Sequence, residues 1–115
     1  VHGDLGMVTD RDIALLYTHS GETDEIVRLY PNFKNIGART ILITGRAKSS
    51  AARLSDLVLN TGVVSEACPN NLAPTTSTTV MLALSDALAI AVMEQRGFNK
   101  EDFARFHPSG SLGKR

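Results

Sequence analysis

The sequence predicts an α/β fold, a three-layer α/β/α sandwich built on a parallel sheet. Three observations predict it. Short runs at Ile13–Tyr17, Thr40–Thr44 and Leu57–Leu59 are mostly branched or aliphatic rather than alternating, as strands covered on both faces are. Stretches of helical periodicity separate them, so the order reads strand, helix, strand, helix, strand. Turn-forming residues bound the runs, with Thr18–Gly21 after the first and Gly45 after the second.

Each element has its own local reason. Between the first two strands, Ile26, Leu29, Tyr30 and Phe33 recur at helical spacing within Glu22–Ile36. Pro31 lies inside that stretch, so a kink or break is expected there. Ser49–Leu54 is a shorter helical segment before the third and weakest strand. A long loop, Val63–Pro74, follows. Val80–Met93 is the most apolar stretch, rich in Ala and Leu, which favours helix over strand. It is shorter than a bilayer requires and carries Asp86, so a helix buried on most sides is expected rather than a membrane span. Lys100–Phe106 reads as a final short helix capped by Asn99.

Composition excludes several classes. With 115 residues there is room for one domain and one core. Hydrophobic residues at 43% and charged residues at 21% are ordinary for a folded soluble domain and argue against disorder. Twelve Lys and Arg balance twelve Asp and Glu, so no basic excess points to nucleic acid. The lone Cys68 forms neither an internal disulfide nor a cysteine-based zinc site, and suits a reducing, cytoplasmic setting. Three histidines without HxxxH or HxH spacing give no support for a metal site. The chain has no initiator Met and no targeting segment, and neither Val1-His2-Gly3-Asp4 nor Gly113-Lys114-Arg115 reads as a natural boundary; a fragment is expected.

Four segments carry candidate chemistry. Thr18-His19-Ser20-Gly21-Glu22-Thr23 joins a strand to a helix, at the end of a parallel sheet where ligands bind. Main-chain N–H groups at a helix start suit phosphate, Ser20 and Thr23 add hydroxyls, and Gly21 allows close approach; a plain helix cap explains the same residues. Thr75-Thr76-Ser77-Thr78-Thr79 exceeds what one cap requires, and either binds a polar group or a neighbouring subunit, or caps and bonds to preceding carbonyls. Glu66 lies in the long loop, where catalytic groups are often placed but where most glutamates are merely solvated. Cys68 has no local base to activate it and reads as a buried structural thiol. His107, beside Pro108, and His2, in HGDLG, stand in turn-like settings from which an imidazole can be aimed at a pocket.

Taken together, HGDLGMVT, SGET-x-E at residues 20–25, EACPNNLAPTTSTT, SDALAIAVMEQRGF and DFARFHPSGSLGKR resemble, in order and spacing, the sugar isomerase (SIS) domain of arabinose-5-phosphate isomerases. The resemblance covers essentially the whole chain. It implies a five-stranded parallel sheet of order 2-1-3-4-5, of which this chain would hold strands 3, 4 and 5. The family's first strand and its GKSG loop with an active-site lysine would lie upstream, leaving the Ile13 strand with an open edge. The CBS-domain pair of longer members is not in the sequence.

The resemblance further implies interconversion of D-ribulose 5-phosphate and D-arabinose 5-phosphate through an enediol. No cofactor or metal is required, the assembly is usually a tetramer, and the product feeds the Kdo sugar of lipopolysaccharide or capsule. It implies Glu66 as the enediol base and His107 as acid/base on the sugar oxygens or ring opening. Glu25 and His2 would position substrate. Thr18, Ser20 and Thr23, with the main-chain N–H groups of residues 19–23 (His19 and Gly21 among them), would hold the phosphate, and Thr75 and Ser77 would assist. Three positions depart from the family pattern: His19 where Asn is usual, Ser109 where HPGG has Gly, and Ser85 where the long helix has Gly. A sugar-phosphate-binding regulatory module without turnover, or an oligomerisation fragment using the apolar helix, would fit the same fold.

Overall fold

The structure is a computed structural model, and it describes residues 3–97 and 99–110. The chain divides into two compact units, residues 1–81 and 82–115. The first holds a three-stranded parallel sheet in the order β1-β2-β3, with β1 at Ile13–Tyr17, β2 at Arg39–Thr44 and β3 at Leu57–Asn60. Leu16 pairs with Leu42, and Leu42 with Val58, so these three share a face. The expected strands are all present, β2 and β3 each longer by one residue.

The helical stretch between β1 and β2 is broken, as Pro31 requires, but the break falls ahead of it. Helix α1 spans Asp24–Val27 and α2 spans Tyr30–Ile36, with Pro31 in the first turn of α2. There proline removes no intrahelical bond and its fixed φ fits, so the helix restarts around it. Gly37 ends α2 in the left-handed region at φ 88°. Helix α3 spans Ser50–Leu54, and the Ser49 side chain accepts from the Ala52 N–H as its cap.

The core lies between α2, α3 and one sheet face: Tyr30, Phe33, Ala51 and Ala52 pack on Leu16 and Leu42. Strands that continue through consecutive right-handed crossovers place their helices on this one side. On the other face Ile43 is buried, while Ile13, at 61% exposure, and Leu57, at 52%, are open, and Leu15 and Tyr17 are exposed with them. Among the described residues β1 is an edge strand, as expected.

Helix α4 spans Thr76–Gln95, longer at both ends than the apolar run, because Thr76–Thr79 form its first turn. Its expected burial is not found. Ser77 is its only buried residue, and Leu82, Ile90, Val92 and Met93 are exposed. An all-round apolar helix needs cover on several sides, and the described residues do not supply it. Helix α5, Lys100–Phe106, has the expected Asn99 cap, completed as a capping box by Asp102. Asp4–Met7 forms a 3-10 turn that periodicity does not reveal.

Candidate functional site

The carboxyl ends of all three strands open into loops that carry candidate residues. After β1 the chain runs Thr18-His19-Ser20-Gly21, and the His19 carbonyl accepts from the Gly45 N–H at 3.1 Å and the Thr44 hydroxyl at 3.1 Å. The loop is thereby tied to the end of β2. Thr18 is buried, its hydroxyl 2.7 Å from the Thr23 hydroxyl, and it accepts from the Gly21 N–H. Ser20 Oγ accepts from the Glu22 N–H. Among the described residues the N–H groups of Ser20 and Thr23 are unbonded.

Gly21 is required twice. Its φ is 71°, and a Cβ there would lie 2.0 Å from Ser49 Oγ. The same glycine's carbonyl accepts from the Ala51 N–H, docking the loop on α3. Thr23 stands at the N-cap position of α1 without a side-chain capping bond, because its hydroxyl is turned to Thr18. The helix it opens is only four residues long and begins with Asp24 and Glu25. Any anion held here would therefore rest on N–H groups and hydroxyls, and draw little from a helix dipole. Glu25 is exposed on α1. Glu22 reaches across to the Ser50 N–H at the start of α3, and hydrogen bonding from Ser50 holds its carboxyl below the usual range.

Glu66 is the most constrained of the candidates. Its Oε1 accepts from the Ser77 N–H at 2.8 Å and the Thr75 N–H at 3.3 Å, and its Oε2 accepts from the Ser77 hydroxyl at 2.5 Å. These bonds place the carboxylate at the start of α4, eleven residues away in sequence. The Ser77 hydroxyl first, and then its N–H, hold the Glu66 carboxyl below its ordinary range; the His19 ring acts in the same direction and burial opposes them. Three of about four lone-pair sites are occupied, which leaves one on Oε2.

Thr75 and Ser77 hold this arrangement together. The Thr75 hydroxyl accepts from the Ala67 and Cys68 N–H groups. Asn71, which sequence reasoning passed over, adopts φ 54° and accepts the Glu66 N–H through Oδ1. Its signal was its type, since Asn tolerates the left-handed region in loops. Cys68 is half-buried rather than buried, and the N–H groups of Ala73, Leu72 and Asn70 lower its thiol.

His19 is packed by its ring against Gly45. A Cβ on residue 45 would fall 2.3 Å from its Cε1 and 2.4 Å from its Nδ1. Nδ1 is enclosed and has no hydrogen-bond partner among the described residues. Gly45 was read from sequence only as a strand end.

His107 belongs to the second unit. It caps α5, stacks on Phe103 with ring centroids 4.1 Å apart, and donates from Nδ1 to the Phe103 carbonyl at 3.0 Å. The donation leaves Nε2 as the nitrogen free for chemistry. Ser109 does not enter the left-handed region, so replacing Gly there carries no backbone strain. His2 lies outside the described residues, as does the SLGKR end of the terminal motif. No cluster of His, Cys, Asp and Glu able to hold a metal occurs among the described residues.

A cavity of about 730 Å³ lies at the opposite, amino end of β2, lined by Tyr30, Lys34, Arg39, Thr40, Arg53 and Asp56 among others. Lys34 and Arg53 sit in the last turns of α2 and α3, where cations complement the terminal carbonyls. Asp56 is bonded to the Thr40 N–H and hydroxyl. This cavity is explained by the packing of the helix ends and is remote from the loops described above.

Comparison with known proteins finds relatives over nearly the whole chain. The SIS domain family model matches residues 1–91. The chain is 56% identical over 114 residues to the arabinose 5-phosphate isomerase KpsF of Escherichia coli, and 53% identical to the arabinose 5-phosphate isomerase KdsD of Pseudomonas aeruginosa PAO1. The matches take in 99% of this chain but 36% and 35% of those proteins, so the chain spans about a third of their length. Among solved structures, Escherichia coli CFT073 c3406 in complex with arabinose 5-phosphate superposes with a TM-score of 0.88 at 43% identity, over 93% of this chain and 57% of that one.

Proposed function

The chain belongs to the SIS domain family, and from that premise we propose that it is part of an aldose–ketose isomerase that interconverts D-ribulose 5-phosphate and D-arabinose 5-phosphate. The observation that carries the reading is Glu66: a carboxylate held ionised at the start of α4, with one lone pair left on Oε2. Binding a phosphosugar needs no such group, whereas moving a carbonyl between C1 and C2 needs a base. Relatives named arabinose 5-phosphate isomerase and a structural neighbour in complex with arabinose 5-phosphate support the substrate.

In this mechanism the loop from Thr18 to Thr23 holds the phosphate through the N–H groups of Ser20 and Thr23 and the Ser20 hydroxyl. Glu66 Oε2 takes the proton from the carbon beside the carbonyl. The C–H electron pair forms the C1=C2 bond of an enediol as the carbonyl oxygen gains a proton. Glu66 then returns a proton to the neighbouring carbon as the other hydroxyl loses its own. His107, through Nε2, acts on the oxygens or on ring opening, and Glu25 and His2 position the sugar. The reaction needs no metal or cofactor by this route. The product would supply Kdo for lipopolysaccharide or capsule, in the cytoplasm, from a homotetramer.

The test is exchange of substrate hydrogen in deuterated water. With D-ribulose 5-phosphate, deuterium should enter at C1 or C2, and Glu66→Gln should reduce the rate at least about a hundredfold, the usual scale of a general base. Binding without exchange in the unaltered protein would instead make the domain a phosphosugar-binding module.

A further inference from the structure

The imidazole of His19 is not used by the mechanism above, yet its surroundings are specific. The ring is seated against Gly45, where any side chain would displace it. Its Nδ1 faces that wall, enclosed and without a partner among the described residues, while Nε2 is not enclosed. A buried N–H without an acceptor is rarer and less tolerated in folded proteins than a bare acceptor. The neutral ring in this seat therefore carries its proton on Nε2, on the edge away from the wall. The ring belongs to the candidate phosphate loop, which the His19 carbonyl ties to the end of β2.

We propose that His19 is a specificity-determining residue: seated on Gly45 with its tautomer set by the enclosed Nδ1, it offers Nε2–H as a hydrogen-bond donor to a sugar oxygen of a phosphosugar held at the Thr18–Thr23 loop. The proposal rests on reading that loop as the phosphosugar site. It differs from a phosphate-binding role, for which the loop's own N–H groups and Ser20 suffice. It also gives Gly45 a function in recognition, that of leaving room for the ring.

Nitrogen-correlated NMR of the imidazole in the intact chain tests it, with inorganic phosphate and D-arabinose 5-phosphate as separate probes. The free ring should show the Nε2–H tautomer. The Ser20 and Thr23 amides should respond to both probes, and Nε2 only to the sugar phosphate. His19→Phe, which fills the seat without a donor, should weaken D-arabinose 5-phosphate about tenfold and leave inorganic phosphate unchanged within about twofold. His19→Gln, whose amide nitrogen reaches the Nε2 position, should recover most of the loss, and Gly45→Ala should reproduce it.

An Nδ1–H tautomer overturns the proposal. So does a His19→Phe variant that binds the sugar phosphate as the unaltered chain does, or an Nε2 response of equal size to phosphate alone. If the Ser20 and Thr23 amides of the unaltered chain respond to neither probe, the loop reading itself fails and this proposal with it.

Discussion

Ser77 sets the protonation of Glu66 more than any other residue does. Its hydroxyl and its N–H both bond to the carboxylate, and the hydroxyl is the larger cause of the lowered value. The folded carboxyl titrates below its ordinary 4.5. Because the folded value lies below the unfolded one, the stabilisation Glu66 contributes is complete above the ordinary value and is lost as pH falls through the folded one. The acid limb of the proposed isomerisation should accordingly lie below pH 4.5. In Ser77→Ala that limb should move upward, toward 4.5, with Glu66 still partly bonded to main-chain N–H groups. A rate–pH profile, or a carboxyl-carbon NMR titration of Glu66, reads the shift; an unmoved limb would remove Ser77 from this role.

At the scale of elements, one cap and one close contact decide how local segments are held. Asn99→Ala removes the side-chain half of the α5 capping box, leaving the residue 99 N–H still able to donate to Asp102, and should cost about 1 kcal/mol, measured as lost helicity or a lower denaturation midpoint. Gly21→Ala should cost more than about 1 kcal/mol, since it adds strain at φ 71° to a collision with Ser49; its measure is the chemical denaturation midpoint, alongside loss of phosphate binding. The two sites also show what could be read before the structure. Asn99 lies next to the residues it caps, so its part in α5 was legible from spacing alone. So were β1 to β3, whose apolar runs are local. Glu66 was identified by resemblance, but its grip on Ser77 spans eleven residues and has no periodicity. His19 and Gly45 meet only because β1 and β2 are paired in register. Long-range polar contacts of this kind leave no local trace, and the burial of α4 was misjudged for a related reason. A run of apolar residues shows that a helix seeks cover, without showing what covers it.

At the scale of the whole molecule, that missing cover makes a prediction. Helix α4 exposes Leu82 at 66% and Ile90 at 58%, eight residues apart and so on one side of the helix, with Met93 following. Ile13, Leu15, Tyr17 and Leu57 are exposed on the sheet face opposite the core. Apolar patches of this kind are rare on a monomer and mark surfaces that associate. Each large aliphatic side chain removed from water contributes roughly 1.5–3 kcal/mol, so a few of them suffice to offset the entropy of association. The chain should therefore sediment as a species larger than a monomer at tens of micromolar (on the scale of a weak specific complex). Replacing Leu82 and Ile90 together by Glu should shift it to monomer while far-UV circular dichroism stays unchanged, because neither side chain is packed in the core. Leu15→Glu would separately report on the sheet face. A chain that sediments as a monomer without these substitutions would show that exposure on α4 does not drive association, and the proposed homotetramer would have to be built through other surfaces.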